Sequence, residues 1–289
     1  MYRHRFNCMT VACEVILHGV MDDHAKSIVA AIEANTRRLE TKYNFHNPYS
    51  WLSRVINQRQ IADVPVDTET WKILSHVKNY TAYTGDLFDI TVGTLKQANT
   101  AEIPEQHAAQ VAELRQYMGD KVWSLDDDCL RFTNAHCQFD LGGVVKEYAV
   151  DDAVRILKKY PMSGALINFG GDIYVYGKKE SGDPFRVGIK NPKNPAEPLC
   201  MVKIENKGLT TSGHYERQRN IAGEAHSHII GDIDRRILSV TVVTDTVLES
   251  GIYSTALTMD PTLEIPASAA RLFIDDQLEI HQSFASCSS

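Results

Sequence analysis

Hydrophobic positions along the chain recur at two periods, and the switch from one to the other separates helices from strands. Ile28, Ile32 and Leu39 share one stripe of a helix over 24–42. Asp67 is a side-chain N-cap for a second helix that carries Trp71, Leu74 and Val77. Pro104 opens a third, with Val111, Leu114 and Met118 inward and Gly119 as its stop. A fourth follows Gly142-Gly143 and runs through Tyr148, Ala149, Ile156 and Leu157. Strand-like runs occupy 10–18, 165–169, 172–177, 185–189, 198–205 and 238–243. Within 172–177, Ile173, Val175 and Gly177 alternate with Asp172, Tyr174 and Tyr176, the pattern of a half-buried strand. Helices crowd the first half and strands the second, which predicts an α+β fold rather than strict α/β alternation. No linker, low-complexity block or short repeat marks a boundary, so 1–289 reads as a single domain.

Composition narrows the classes further. At 43% hydrophobic and 23% charged the chain is ordinary globular material, not a disordered, collagen-like or coiled-coil one. Lys and Arg number 30 against 37 Asp and Glu, a net charge of −7 without a long basic run. That balance argues against a nucleic-acid partner held by counterion release. No apolar run approaches the roughly 18–20 residues that cross a bilayer. The basic start, MYRHRFNCMTVACEVILHG, looks like a targeting segment, but Asn7, Thr10 and Glu14 interrupt its apolar run. A first strand and a cytoplasmic protein are expected instead. The six cysteines show neither CxxC nor zinc-like spacing and are too sparse for a disulfide framework, so reduced structural thiols are expected.

Several short segments carry possible chemistry. In 140–148, Asp-Leu-Gly-Gly-Val-Val-Lys-Glu-Tyr, two glycines precede a helix whose free amides favour an anion. Lys146 sits in the first helical turn, where the dipole disfavours a cation, so a facing phosphate or carboxylate would account for it. A plain tight turn before an amphipathic helix is the competing account. The second Gly-Gly, in Asn-Phe-Gly-Gly-Asp at 168–172, is either a turn closed by Asn or Asp or part of a site. The hydroxyl-rich 210–215 stretch, Thr-Thr-Ser-Gly-His-Tyr, has the composition of a solvated turn and also of a phosphate loop. His226 and His228 are spaced like a metal pair on a strand, yet without a third ligand a hydrogen-bonded strand histidine is the simpler reading.

The order of these segments is more specific than any one of them. Met9-Thr10 is followed by Tyr-Asn-Phe-His at 43–46 with Ser50-Trp51-Leu52-Ser53-Arg54, then by Gly-x-Leu-Phe-Asp-x-Thr-Val-Gly. Asp-Leu-Gly-Gly-x-x-Lys, Asn-x-Gly-Gly-Asp, Thr-Ser-Gly-x-Tyr, His-Ile-Ile, and Ser-Val-Thr-Val with Ser-Thr-Ala-Leu at 254–257 complete the series. The series resembles the FAD:protein FMN transferases, the ApbE-type flavin transferases, from about residue 7 to 275. The resemblance implies a T-fold-related α+β domain with mixed or antiparallel sheets flanked by helices. It implies Mg²⁺-dependent transfer of FMN from FAD to a Thr or Ser of an acceptor protein, with release of AMP. By matching position, FAD contacts fall on Met9, Phe45, Leu87, Phe88, Asp89, Asp140, Lys146 and Ile229. Gly170, Gly171, Asp172 and Ser212 complete that site. His228 is the implied general base, and the Gly143 carbonyl and Thr255 are implied metal ligands.

Two departures touch the chemistry. Where the family reads Ala-Asp-Ala-Leu-Ser/Ala-Thr-Ala-Leu, this chain has Ser250-Gly251-Ile252-Tyr253-Ser254-Thr255-Ala256-Leu257, so Gly251 replaces the metal-binding Asp. After His228-Ile229-Ile230 the family's Asp-Pro-Arg-Thr-Gly turn is absent. A site short of one carboxylate should hold Mg²⁺ weakly or not at all. Glu249 and Asp245 are the nearest acids in sequence that could compensate, and an Asp at 251 should fit the space left by glycine. The resemblance therefore carries two alternatives, an FAD-binding homologue without transferase activity and an FAD hydrolase giving FMN and AMP.

Overall fold

A computed structural model describes residues 1–97, 104–213, 219–221, 224–226, 236–282 and 287–288. Its helices are α1 (Asp22–Tyr43), α2 (Thr68–Tyr83), α3 (Pro104–Leu114), α4 (Val145–Leu157) and α5 (Val247–Met259). The chain forms two compact units. The first takes Met1–Glu40 with the described parts of 145–217 and 231–289; the second takes Thr41–Val144 and the short hairpin within 218–230.

The first unit is built on an eight-stranded antiparallel sheet. Its strands run, edge to edge, Tyr2–Cys8, Val11–His18, Gly164–Phe169, Asp172–Gly177, Lys207–Gly213, Ile237–Thr244, Ala270–Asp275 and Ile280–Gln282. In the 172–177 strand, Ile173 and Val175 enter a core with Phe185, Val187, Cys200, Val202 and Leu272. That core lies under the Phe185–Asn191 and Asn194–Ile204 hairpin. Asp172 and Tyr174 turn to the other face, where α4 packs. Both faces are therefore covered and Asp172–Val175 are all buried, in place of the half-buried strand that alternation predicts.

The structure adds elements that periodicity does not single out. Tyr2–Cys8, the basic start of the chain, is an edge strand whose Arg3 and Arg5 pair with Glu14 next to it. The hydroxyl-rich 207–213 segment is a central strand, not a solvated turn. Its hydroxyls are satisfied across elements, Thr210 with Ser250 at 3.0 Å and Thr211 with Thr241 at 2.8 Å. Helix α5 is buried on nearly every side. Its first amides are held by α4: the Asp151 carboxylate accepts from the N–H groups of Val247 (2.8 Å) and Leu248 (2.9 Å).

In the second unit, Asp67 caps α2 as expected, accepting from the Thr70 N–H at 2.8 Å. The buried stripe is Thr70, Ile73, Leu74 and Val77, while Trp71 is half-buried. Helix α3 ends at Leu114 and a 3-10 turn carries on to Tyr117, so Gly119 (φ +96°) lies beyond the helix stop assigned to it. Phe139 is fully buried against Trp123 and Phe132, each at 5.1 Å between ring centres. The Asn57 side chain pairs with the Phe139 backbone in both directions, at 2.9 and 2.8 Å. Those bonds fix the segment that leads into Asp140.

Two stability predictions follow from local geometry. Met9 and Thr10 form the two-residue turn between the first strands, and both have left-handed backbones (φ +51° and +62°). A β-branched residue is strained there. Relief of about 1–2 kcal/mol less the entropic cost of glycine, about 0.5–1 kcal/mol, means that Thr10→Gly should raise the unfolding free energy in urea; a lower value would contradict this strain. For Asp151, burial pushes the carboxyl up to about 6. The folded protein then holds this proton more tightly than the unfolded chain, so the contribution is full below about pH 4 and is lost as pH rises through about 6. The loss is about 3 kcal/mol. Asp151→Asn should therefore flatten the fall in stability between pH 4 and 7, and equal slopes in the two proteins would refute the assignment.

Candidate functional site

Antiparallel pairing gathers the expected residues of the first unit at one end of its large sheet. The Met9-Thr10 turn joins strands at that end, and so does Gly170-Gly171, whose φ values of +66° and +105° suit a tight hairpin. A Cβ on Gly170 would lie 2.7 Å from Val11, so the two turns touch and only glycine fits. Asn168 closes the second turn, its side-chain oxygen accepting from the Gly171 N–H at 2.8 Å. The Gly-Gly is thus a turn, and the Asp172 that follows it is free of that duty. The Met9 N–H donates to Glu40 Oε1 at 2.6 Å, which ties the first turn to α1.

Helix α4 begins beside Asp172. Lys146, in its first turn, is ion-paired with Asp172 and also reaches Glu147 Oε1 at 3.2 Å. The cation that the helix dipole disfavours is held here by carboxylates. Asp172 and Glu147 are 3% and 5% exposed, and Glu147 Oε2 has no hydrogen-bond partner among the described residues. Ser212, near the end of its strand, lies 2.8 Å from Ser254 and 3.3 Å from Thr255 between hydroxyl oxygens. Thr255 is half-buried where every other residue from 250 to 258 is buried.

Gly251 does not leave a vacancy. A Cβ built on it would come within 2.7 Å of Glu147 Cγ and 3.6 Å of Glu147 Oε1. The Glu147 side chain crosses α5 at that residue, so the place expected to lack a carboxylate has one beside it, supplied from α4. Neither acid expected to compensate is the one found there. Asp245 is exposed and paired with Lys207. Glu249 hydrogen-bonds with Thr244, and burial raises its carboxyl above the ordinary value. Two residues from Gly251 on a helix, it also projects from the far side.

The second unit assembles its own group. The Asp140 N–H donates to the Ile90 carbonyl at 2.8 Å, placing Asp-Leu-Gly-Gly beside Leu87-Phe88-Asp89. A Cβ on Gly143 would be 3.8 Å from the buried Phe88 ring. Leu87 is half-buried. The Asp89 carboxylate is taken up by its own turn, accepting from the Thr91 N–H at 2.7 Å and from the Thr91 hydroxyl at 2.6 Å, while burial raises its pKa. Asp140 accepts from the Gly142 N–H at 2.8 Å and pairs with Lys96, whose ammonium lies 4.8 Å from the centre of the Phe45 ring.

Lys96 and Glu147 are the two residues that the ordered motifs do not point to. Lys96 lies beyond the Leu-Phe-Asp block, and Glu147 reads as an ordinary first-turn acid. His228 and Ile229 lie outside the described residues, as does the departure at 231–235. Among the described residues, Asp275, Glu279 and His281 form a compact cluster of possible ligands. Asp275 there accepts from the N–H groups of Gln277 and Glu279 and pairs with His281, as a surface turn requires. The described cysteines are free thiols, and burial pushes Cys8 and Cys137 up to about 12, as expected of unreactive structural residues.

Comparison with known proteins agrees with this geometry. Residues 9–276 match the model of the ApbE family. The FAD:protein FMN transferase of Escherichia coli K12 is 26% identical over 248 residues, 80% of this chain and 69% of that protein. The enzyme of the same name from Chlamydia pneumoniae is 28% identical over 230 residues, 77% of this chain and 70% of its own. An ApbE protein from Thermotoga maritima superposes with a TM-score of 0.82 over 98% of this chain and 96% of its own; at 22% identity it shares the fold. With a large antiparallel sheet flanked by helices and a family match along nearly its whole length, the chain belongs to the ApbE family.

Proposed function

We propose that the protein transfers FMN from FAD to a Thr or Ser hydroxyl of an acceptor protein. The acceptor oxygen bonds to the FMN phosphorus as the P–O bond within the diphosphate breaks. AMP leaves with the bridging oxygen, and the hydroxyl proton passes to a base, the role that resemblance gives to His228. The observation that supports this reading most directly is the Lys146–Asp172–Glu147 cluster at the start of α4, within a chain that matches the family over 9–276. Phosphoryl transfer needs positioning and charge neutralisation more than covalent work by the protein. Lys146 offers a cation, and the amides of the first α4 turn offer anion-directed donors. Within the second unit, half-buried Phe45 offers an aromatic face of the kind a flavin ring stacks on.

The first unit suits a divalent metal on its donor chemistry. Two buried carboxylates share Lys146, one carboxylate oxygen is unpartnered, and Thr255 is half-buried on α5. These are hard oxygen donors, the kind that Mg²⁺ takes. When bound, Mg²⁺ supplies neutralisation of diphosphate charge. The binding-only alternative rests on a missing carboxylate, and the transferase reading is supported by the Glu147 side chain passing beside the residue that lacks it.

Incubation with FAD, Mg²⁺ and a peptide bearing an acceptor threonine should give an FMN–peptide adduct by mass spectrometry, with one AMP per adduct. AMP without adduct would make the protein a hydrolase, and saturable quenching of flavin fluorescence with no AMP would make it a binder. Lys146→Ala should weaken FAD binding about 10–100-fold, since a charged hydrogen bond contributes about 1.5–3 kcal/mol. It should also lower the melting temperature, because Asp172 and Glu147 lose their shared cation. Unchanged FAD affinity in that variant would remove Lys146 from the site.

A further inference from the structure

Glu147 occupies an unfavourable position by every local criterion. Its carboxylate is almost wholly buried, and Oε2 has no partner among the described residues. Its side chain passes α5 so closely that residue 251 must lack a Cβ, which places a glycine in the interior of a helix. An acid in the first turn of α4 gains from the helix dipole. A solvent-facing acid would gain the same without burial and without requiring Gly251. Lys146 faces both Glu147 and Asp172, so one positive charge meets two buried negative ones. The remaining charge and the open oxygen call for a second cation. Thr255 stands one helical turn beyond Gly251 on the same face of α5, its hydroxyl near that of Ser212.

We propose that Glu147 is a divalent-cation ligand, reaching from α4 into the place that a carboxylate side chain at residue 251 would take. The cation is of the Mg²⁺ class, held by Glu147 with Asp172 and Thr255 as its neighbours. The transferase reading above, on which this rests, supplies the expectation that a cation is used; the residue that holds it follows from the crossing of α4 and α5.

Mn²⁺ alone is the probe, titrated into the full chain and followed by loss of the free-ion EPR signal, with Mg²⁺ as competitor. The wild type should bind Mn²⁺ and Mg²⁺ should displace it. Glu147→Gln, nearly isosteric, should weaken binding by about 10–100-fold or more. Gly251→Asp should lower the melting temperature, since its Cβ would meet Glu147 Cγ at 2.7 Å. The exchange Glu147→Gly with Gly251→Asp should restore both the melting temperature and Mn²⁺ affinity, which a merely structural role for Glu147 would not do. A folded Glu147→Gln protein with wild-type Mn²⁺ affinity overturns the proposal, and so does a folded exchange variant that binds none. A separate titration of the wild type with FAD, in Mg²⁺ and again in EDTA, tests the transferase reading. Absence of saturable FAD binding sinks that reading whatever Mn²⁺ does, while FAD binding without Mn²⁺ binding sinks the ligand role of Glu147 alone.

Discussion

The close crossing of α4 over α5 is the constraint on which the first unit depends. Glu147 and Asp151 are four residues apart on α4 and so share a face. One lies against Gly251 and the other caps the first amides of α5. A Cβ at 251 would meet Glu147 Cγ at 2.7 Å, so the Glu147 side chain and its contacts would have to shift. The same approach brings the first turn of α4 to Asp172, so that Lys146 meets both of its carboxylates. Packing and charge pairing are thus coupled through Glu147, with the Asp151 cap one turn further along the same face of α4.

The sheet beneath these helices sets where the cluster can be. Antiparallel strands bring two hairpin turns and the end of the 207–213 strand to one end of the sheet. The turns cannot be relaxed independently, because Gly170 packs directly on Val11 and Gly170 N–H donates to the Ala12 carbonyl at 3.0 Å. Met9 and Thr10 keep a strained backbone at the same end, held by Glu40 through the Met9 N–H and the Cys8 thiol. Strain retained where a structure gathers polar groups is the pattern expected of a working site.

Much of the fold was legible in the sequence, and the parts that were not share a physical cause. Amphipathic helices such as α1 and α2 announce themselves because one face meets water. Helix α5 does not: Ser250, Ser254 and Thr258 are buried together with Ile252 and Leu257, so no stripe contrasts with a polar face. The 207–213 strand is concealed by the same effect, since its Thr and Ser hydroxyls satisfy one another inside the protein. Ordered motifs located Lys146, Asp172, Asp140 and Thr255 because each is followed or preceded by a glycine or hydroxyl pattern in the chain. Lys96 lies outside those patterns, and Glu147 follows Lys146 as an ordinary first-turn acid. Their contacts are with groups distant in sequence, Phe45 and Asp140 for Lys96, Gly251 for Glu147.

Gly251 lacks the family's carboxylate in the chain, while in space the Glu147 side chain passes beside it. A residue-by-residue comparison assigns a function to a position on the chain, whereas a cation responds only to where an oxygen is. Sequence neighbours are poor substitutes on a helix, because two residues further along points to the opposite side, as Glu249 does. A neighbouring helix can place a carboxylate at the same point if the first helix yields the space, and glycine is the residue that yields it. The glycine and the glutamate are then one feature divided between two helices. Either alone would be unfavourable, a glycine inside α5 or a buried acid on α4 with one oxygen unpartnered. Their coincidence, within contact distance and beside Lys146, is the observation on which the proposed cation role of Glu147 rests.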